Sequence, residues 1–332
     1  MVNRRVPWIL GIDTSAYTCS AAAVNLEGKL LAEERQLLEV SPGSRGLRQS
    51  EAVFQHVRTL PTVLKRLTVK MRDAGLWPKP GMLAAVSWSD RPRPTDDSYM
   101  PVFLVGRAVG SSLAEASCLP GYPTSHQEGH LQAGVCSAGG PPADVFLTVH
   151  LSGGTSEVLM VEQLPSSFRT ELLGRSRDLH AGQLIDRVGV AMGLSFPAGP
   201  ALERLAEQAD DDFPRLSSAV EGLDFSFSGV ESQAQRWIER GEAPARVARA
   251  VEASLANTME KVIRRALEER GVREVLLVGG VAANRYLRQR LKQRLEHRAV
   301  GARLYFASPE LSTDNAVGVA MLGWKRHLHK SR

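Results

Sequence analysis

A chain of 332 residues, 43% hydrophobic and 23% charged, exceeds one ordinary compact core and is expected to form about two domains. No apolar stretch approaches the roughly 18–20 residues that span a bilayer, and the apolar run after Arg4 and Arg5 is too short for a signal peptide, which argues against a membrane role. The net charge of +5 permits an acidic partner such as RNA, while three cysteines (Cys19, Cys118, Cys136) without a C-x-x-C pair argue against a disulfide framework or a zinc knuckle and for a reducing cytoplasm.

In chain order, "WILGID", "TSAYT" and "CSAAAVN" read as strand, tight turn and strand, and "EGK" as a turn into a third strand. Helical periodicity runs from about Ser50 to Lys70, with Ser50 as its N-cap. Pro- and Gly-rich loops follow at "WPKPG", "SDRPRPTDDSYMP" and "SAGGPPAD". The opening pattern then returns: "DVFLTVHLSGG" is a strand ending in glycines, and "TSEVLMVEQ" leads away from them. A helical pattern spans Ala181 to Met192. A further strand, "EVLLVGG", opens into the helically spaced "VAANRYLRQRLKQRLEHR", and "LYFASPE" with "STDNAVGVAMLGWKRHL" reads as strand, loop and helix. Two strand-turn-strand beginnings predict an α/β chain of two related lobes, each a mixed sheet with helices. One lobe is expected over 1–115 and about 305–332, the other over 116–304. Basic residues crowd "KVIRRALEER", "NRYLRQRLKQRLEHR" and "KRHLHKSR", and solvated faces of amphipathic helices account for any one of these stretches.

Four segments carry chemistry. "GIDTS" and "LSGGTS" are strand ends rich in small and hydroxyl residues, and Gly153 and Gly154 have no side chain to keep a phosphate from backbone N–H groups. Neither G-x-x-x-x-G-K-[ST] nor G-x-G-x-x-G after a strand occurs, which excludes a P-loop and argues against a Rossmann site. In "VGGVAANR", Asn284 offers a donor and an acceptor where a strand opens into a helix; it reads equally as a nucleotide contact or as a helix cap. Finally, "HQEGH" sets His126 and His130 on one helix face, near enough to share a metal. A zincin protease needs H-E-x-x-H, but Gln127 follows the first histidine and Glu128 lies about 200° round the helix from it; the inverted H-x-x-E-H fails at Gly129. The pair alone leaves a metal site and a chance alignment both open, and Asp314 in "STDNAVG" is a candidate third ligand.

Taken together and in order, "GIDTS", "HQEGHL", "LSGG", "AGQLIDRVGVAMGLSFPAGP", "FSFSG", "VGGVAANR" and "STDNA" resemble the tRNA threonylcarbamoyladenosine-modifying transferase family, also labelled glycoprotease-like or O-sialoglycoprotein endopeptidase, over nearly the whole chain. The resemblance implies the actin-like, Hsp70-like two-lobed ATPase fold with an interlobe cleft. It implies one divalent metal, iron or zinc, held by His126, His130 and Asp314. It also implies ATP or threonylcarbamoyl-AMP lined by Leu151, Ser152, Gly153, Gly154 and Thr155, with Asp186 on the ribose, Gly199 letting the nucleotide approach and Asn284 holding it. The implied reaction moves the threonylcarbamoyl group to the adenosine beside the anticodon of tRNA, with protein partners of the family's kind.

Departures cluster near the implied reaction centre. The family's Thr-Ser-Cys-Asp-Glu-Thr is here Thr14-Ser15-Ala16-Tyr17-Thr18-Cys19, without either acid. Its Ser-Gly-Gly-His-Thr is Ser152-Gly153-Gly154-Thr155-Ser156, without the histidine. Its Gly-Pro-Gly-Leu loop is replaced by "SWSDRPRPTDDSYMPVFLVG", where Asp90, Asp96 and Asp97 are candidates to restore the lost charge. "DLHAGQLIDR" keeps Asp178, Gly182 and Asp186 but not an internal Glu. These changes fit a divergent paralogue: an enzyme of the family reaction or a close variant, or a catalytically weak nucleotide- and metal-binding partner that regulates or scaffolds a transferase. A small-molecule kinase of the same fold would need neither the histidine pair nor Asp314.

Overall fold

The computed structural model describes residues 7–40, 47–76, 81–210 and 212–330; Arg4, Arg5 and most of "WPKPG" lie outside them. The chain divides into two compact units, one of Met1–Ala133, Gln163–Arg169 and Asp314–Arg332, the other of Gly134–Glu162 and Thr170–Thr313. Residues 116–133 fall with the first unit because the strand they contain pairs with its sheet.

In the first unit, β1 (Trp8–Thr14), β2 (Thr18–Asn25) and β3 (Leu30–Leu37) form an antiparallel meander. Helix α1 (Gln49–Asp73) follows, beginning at Arg48 with no side-chain cap, so Ser50 sits inside the first turn rather than at the N-cap. Next come β4 (Leu83–Arg91), α2 (Phe103–Ala116), β5 (Gly121–Ser125) and α3 (His126–Ala138). The sheet order is β3-β2-β1-β4-β5, with β4 parallel to both β1 and β5.

β1 is buried on both faces, and side-chain alternation assigns them. Trp8, Leu10 and Ile12 join a core with Leu60, Val63 and Leu67 of α1 and Phe103 of α2. Ile9, Gly11 and Asp13 point to the other face.

The second unit repeats the plan. β6 (Val145–Leu151), β7 (Ser156–Leu164) and β8 (Ser167–Arg175) are followed by α4 (Ala181–Ala191), α5 (Gly199–Ala206), the short pair β9 (Ala219–Glu221) and β10 (Asp224–Ser226), α6 (Ser228–Glu239) and α7 (Pro244–Arg270). Then come β11 (Glu274–Val278), a 3-10 turn over Gly280–Ala283, α8 (Arg285–Leu295), β12 (Arg303–Phe306) and α9 (Pro309–Ser312). The order β12-β11-β6-β7-β8, with β6 antiparallel to β7 and parallel to β11, reproduces that of the first sheet. Two related α/β lobes are therefore present. Asn284 breaks the run expected to be one helix into the 3-10 turn and α8, because its Oδ1 caps α8 by accepting from the Leu287 amide at 2.8 Å.

The chain closes on the first unit with α10 (Val317–Lys330), which covers the second face of β1. A Cβ on Gly11 would stand 2.5 Å from the Ala320 amide nitrogen, so helix and strand backbones nearly touch there. No helix among the described residues is long and apolar enough to cross a membrane.

Candidate functional site

Alternation on β1 puts Asp13 on the face shared with α10, where α3 also arrives. α3 and α10 meet through glycines: a Cβ on Gly318 would lie 1.8 Å from the Gly129 carbonyl oxygen. Gly129 therefore stands inside "HQEGH" for contact between backbones. Glu128 points elsewhere. Its Oε2 accepts from the Ser125 amide at 2.9 Å, the Ser125 hydroxyl at 2.8 Å and the Thr124 hydroxyl at 3.1 Å, capping α3, and Arg326 lies 3.4 Å from its other oxygen. A carboxylate held this way cannot serve as the base of a zinc protease.

The other face of α3 carries the site. His126 Nε2 and His130 Nε2 lie 3.1 Å apart. Asp314 Oδ1 is 3.1 Å from His130 Nε2 and 3.5 Å from His126 Nε2. Two ligands about 2.1 Å from a metal stand about 3.0 Å apart at a right angle and about 3.4 Å apart at a tetrahedral angle. The three atoms thus have the spacing of ligands around one ion, and the donor set, two imidazoles and a carboxylate, suits zinc or iron.

Supports stand behind two of them. His126 Nδ1 is 3.0 Å from Asp13 Oδ1, and a carboxylate only accepts, so Nδ1 carries a proton and Nε2 is the nitrogen turned to the metal position, where an ion would displace any proton it holds. The Ser15 hydroxyl donates to Asp314 Oδ2 at 2.6 Å. Burial opposes the charged form of His126, but the charge and hydrogen bond of Asp13, with those of Asp314, hold its pKa well above the ordinary value. Burial likewise opposes ionisation of Asp314, yet the two histidines keep its pKa well below the usual carboxylate range. The sequence does not single out Asp13 or Ser15 for these roles. The only signal is their place in "GIDTS", at the end of a strand buried on both faces.

In the second unit, Leu151–Thr155 forms a tight turn in which the Ser152 hydroxyl accepts from the amides of Gly154 at 3.3 Å and Thr155 at 3.0 Å. Those two N–H groups are spent within the turn, so only part of the expected backbone cradle is available; the Gly153 amide remains. Gly153 and Gly154 are exposed, and no atom beyond their chain neighbours would meet a Cβ on either. α4 starts against this turn: the Gly182 amide donates to Ser152 O at 3.0 Å, and a Cβ on Gly182 would lie 2.7 Å from Gly153.

Asp186 on α4 accepts from the Ala198 amide at 2.7 Å through one oxygen. Burial pushes its pKa up against that hydrogen bond. Gly199, the next residue, opens α5 with only Ile185 in reach of a Cβ. Asn284 closes the group. Besides capping α8, it donates through Nδ2 to Glu252 Oε1 at 2.6 Å. The start of α8 is tied to α5 by the Arg285 amide, which donates to Glu203 at 2.8 Å. The turn, α4, α5 and the start of α8 are thus linked in succession.

Other positions prove structural. Asp178 accepts from the amides of Leu179, Phe227 and Ser228 and from the Ser226 hydroxyl; burial opposes its ionisation, but these donors hold its pKa far below the carboxylate range. It buckles "FSFSG" into place. In the rebuilt loop, Asp90 pairs with Arg91 at 2.8 Å, and the exposed Asp96 lies 3.8 Å from the same arginine, so the one guanidinium offsets the charge of one of these two acids. The basic α8 is also largely paired. Arg285 meets Glu203 and Glu207, while Arg290 and Arg294 meet Glu260.

Known proteins resemble the chain at both levels. A profile described as tRNA N6-adenosine threonylcarbamoyltransferase matches residues 99–321. A protein of that name from Thermus thermophilus is 34% identical over 331 residues, covering 97% of this chain and 93% of its own. Among solved structures, T. kodakarensis HypF superposes with a TM-score of 0.63 at 14% identity, over 98% of this chain and 48% of HypF. A ROK family glucokinase from Streptomyces griseus, in complex with glucose and AMPPNP, gives 0.53 at 12% identity, over 95% and 99% of the two chains. The fold shared with these structures is the actin-like, two-lobed ATPase fold.

Proposed function

This chain belongs to the tRNA N6-adenosine threonylcarbamoyltransferase family, and from that premise we propose that it transfers a threonylcarbamoyl group from threonylcarbamoyl-AMP to N6 of the adenosine beside the anticodon of tRNA. In this reaction the N6 amine attacks the carbamoyl carbon, a C–N bond forms, the bond from that carbon to the phosphate oxygen breaks, and AMP leaves as the amine gives up a proton. The observation that carries the reading is the convergence of His126 Nε2, His130 Nε2 and Asp314 Oδ1 in a chain similar to that family over 97% of its length.

A zinc or iron ion held by these three residues would act as a Lewis acid toward an oxygen that gains charge in the transition state. Asp13 and Ser15 orient two of the three ligands. In the second unit, the open Gly153-Gly154 turn offers room for a phosphate, the second oxygen of Asp186 suits a ribose hydroxyl, and Gly199 leaves the approach clear. Asn284 acts mainly as the cap that sets the start of α8. Protein partners of the family's kind are part of the proposal, supported by an apolar groove between α1 and α2 lined by Val57, Leu60, Pro61, Leu64, Leu104 and Val105. The expected compartment is the cytoplasm, in keeping with cysteines that form no disulfide.

The test is single-turnover transfer to unmodified tRNA by the purified protein, with and without the family's protein partners. Transfer that His126→Ala abolishes is the expected result; no transfer under any of these conditions rules the activity out.

A second reading, of weakened or redirected transfer, is favoured by Tyr17 and Thr18, which stand where the family has two acids. They form the turn whose Ser15 holds Asp314, and Thr18 is buried (4% exposed). Restoring both charges with Tyr17→Asp and Thr18→Glu is expected to raise the transfer rate more than nucleotide affinity, since only interactions strengthened in the transition state govern the chemical step. A wild-type rate equal to that of ordinary family members, unchanged by the substitutions, would discard this second reading.

A further inference from the structure

His56 sits on α1, the helix covering the opposite face of β1 from Asp13, and it is completely buried. Its Nε2 lies 2.7 Å from the carbonyl oxygen of Ser15. That oxygen only accepts, so His56 donates. Burial lowers the His56 pKa against the pull of the Ser15 carbonyl and Asp13, which is the behaviour of a neutral imidazole with its proton on Nε2. The Ser15 amide is also fixed, donating to Thr18 O at 3.1 Å. With both its N–H and its C=O tied, the Ser15 backbone has little freedom, and its hydroxyl lies 2.6 Å from Asp314 Oδ2, nearer than the 3.2 Å to its other acceptor, Thr18 O.

We propose that His56 is a positioning residue for the metal centre: by holding the Ser15 carbonyl it sets the hydroxyl that turns Asp314 toward His126 and His130. The inference rests on the metal reading above. A buried histidine used for packing alone would need no particular hydrogen bond, and an apolar residue of similar volume would fill its place. Here the donor meets the strand end where the chain leaves β1, one residue beyond Thr14. Thr14 is itself fixed, since its hydroxyl donates to Val102 O at 2.9 Å and accepts from the Gly106 amide at 3.1 Å. α1 and α2 thus brace the strand end from one side, and Ser15 carries that order through to the ligand on the other.

The experiment measures Zn2+ affinity by competition with a chromophoric chelator, and thermal melting of the metal-free protein, for wild type, His56→Leu, His56→Gln and His126→Ala. Glutamine can place an amide donor near the position of Nε2; leucine fills the space without one. Supports behind metal ligands are typically worth about 10- to 100-fold in affinity. His56→Leu is therefore expected to bind Zn2+ at least about tenfold more weakly, with His56→Gln retaining most of the affinity. Should His56→Leu not fold, His56→Met takes its place as a more adaptable apolar residue. Wild-type affinity in the apolar variant, whatever its melting temperature, overturns the proposal, as does equal weakening by the apolar variant and Gln. If wild type binds Zn2+ no better than His126→Ala, the metal reading fails and this inference with it.

Discussion

Glu252 shows how one buried side chain couples folding to pH. It is 2% exposed on α7, accepts from Asn284, and pairs with Arg249 at 2.6 Å. Burial dominates its surroundings: against Asn284 and Arg249, and with the nearby charges of Glu203 and Glu207, it raises the Glu252 pKa from 4.5 to about 7. A folded-state pKa above the unfolded value means that the folded state holds the proton more tightly. The stability this contributes is complete below about pH 4.5 and is lost as pH rises through about 7. At one pKa unit per 1.36 kcal/mol, the loss is on the order of 3 kcal/mol. Glu252→Gln keeps an acceptor for Asn284 and cannot ionise, so its melting temperature is expected to fall less than that of wild type between pH 5 and pH 8. Parallel pH profiles for the two proteins would show that Glu252 does not titrate in this range.

Among the elements, α3 and α10 depend on a crossing with no room for a methyl group. Gly318→Ala would drive a Cβ into the Gly129 carbonyl, and overpacking of a close contact typically costs about 1–3 kcal/mol. Because α10 begins just after Asp314 and α3 carries both histidines, the strain falls on the proposed metal ligands. A lower melting temperature and weaker Zn2+ binding are expected together, and an unchanged pair of values would refute the packing argument. This crossing also shows what periodicity can reveal. The pair His126 and His130 is legible as an i, i+4 match on one face, but Asp314 lies 184 residues from His130; the residues alone offer it as one candidate acid, and family resemblance ties it to the pair. Asp13 and Ser15 stay hidden because a strand buried on both faces does not say what covers each face. The 27-residue α7 is equally hard to see. Its middle, over residues 247–260, is buried nearly all round, so that stretch lacks the one-sided stripe by which a helix is recognised. The two sheets were legible as repeated strand-turn-strand beginnings; their strand order was not, since it depends on pairings distant in the chain.

For the molecule as a whole, the excess of 41 basic over 36 acidic side chains is a poor guide to where a nucleic acid would bind, because many of those charges are used internally. α8 is the clearest case. Arg290 and Arg294 both bind Glu260, at 3.3 Å and 2.9 Å. Arg288 donates to the carbonyls of Ala282 and Ala307 and lies over Phe306. Such arginines hold α8 against α7 and the end of β12, and removing both Arg290 and Arg294 would leave Glu260, whose side chain is 10% exposed, with only Arg264 of its own helix. Breaking a largely buried pair from one side is costlier than losing an exposed one. A Lys or Arg that does contact a phosphate leaves a different trace: it releases counterions, and its removal reduces the slope of log affinity against log salt by about 0.7–0.9. Arg290→Ala with Arg294→Ala is therefore expected to lower the melting temperature while leaving the salt dependence of tRNA binding at its wild-type slope. A slope shallower by about 1.4–1.8, with the melting temperature unmoved, would instead make this face of α8 the tRNA surface and the ion pairs to Glu260 incidental.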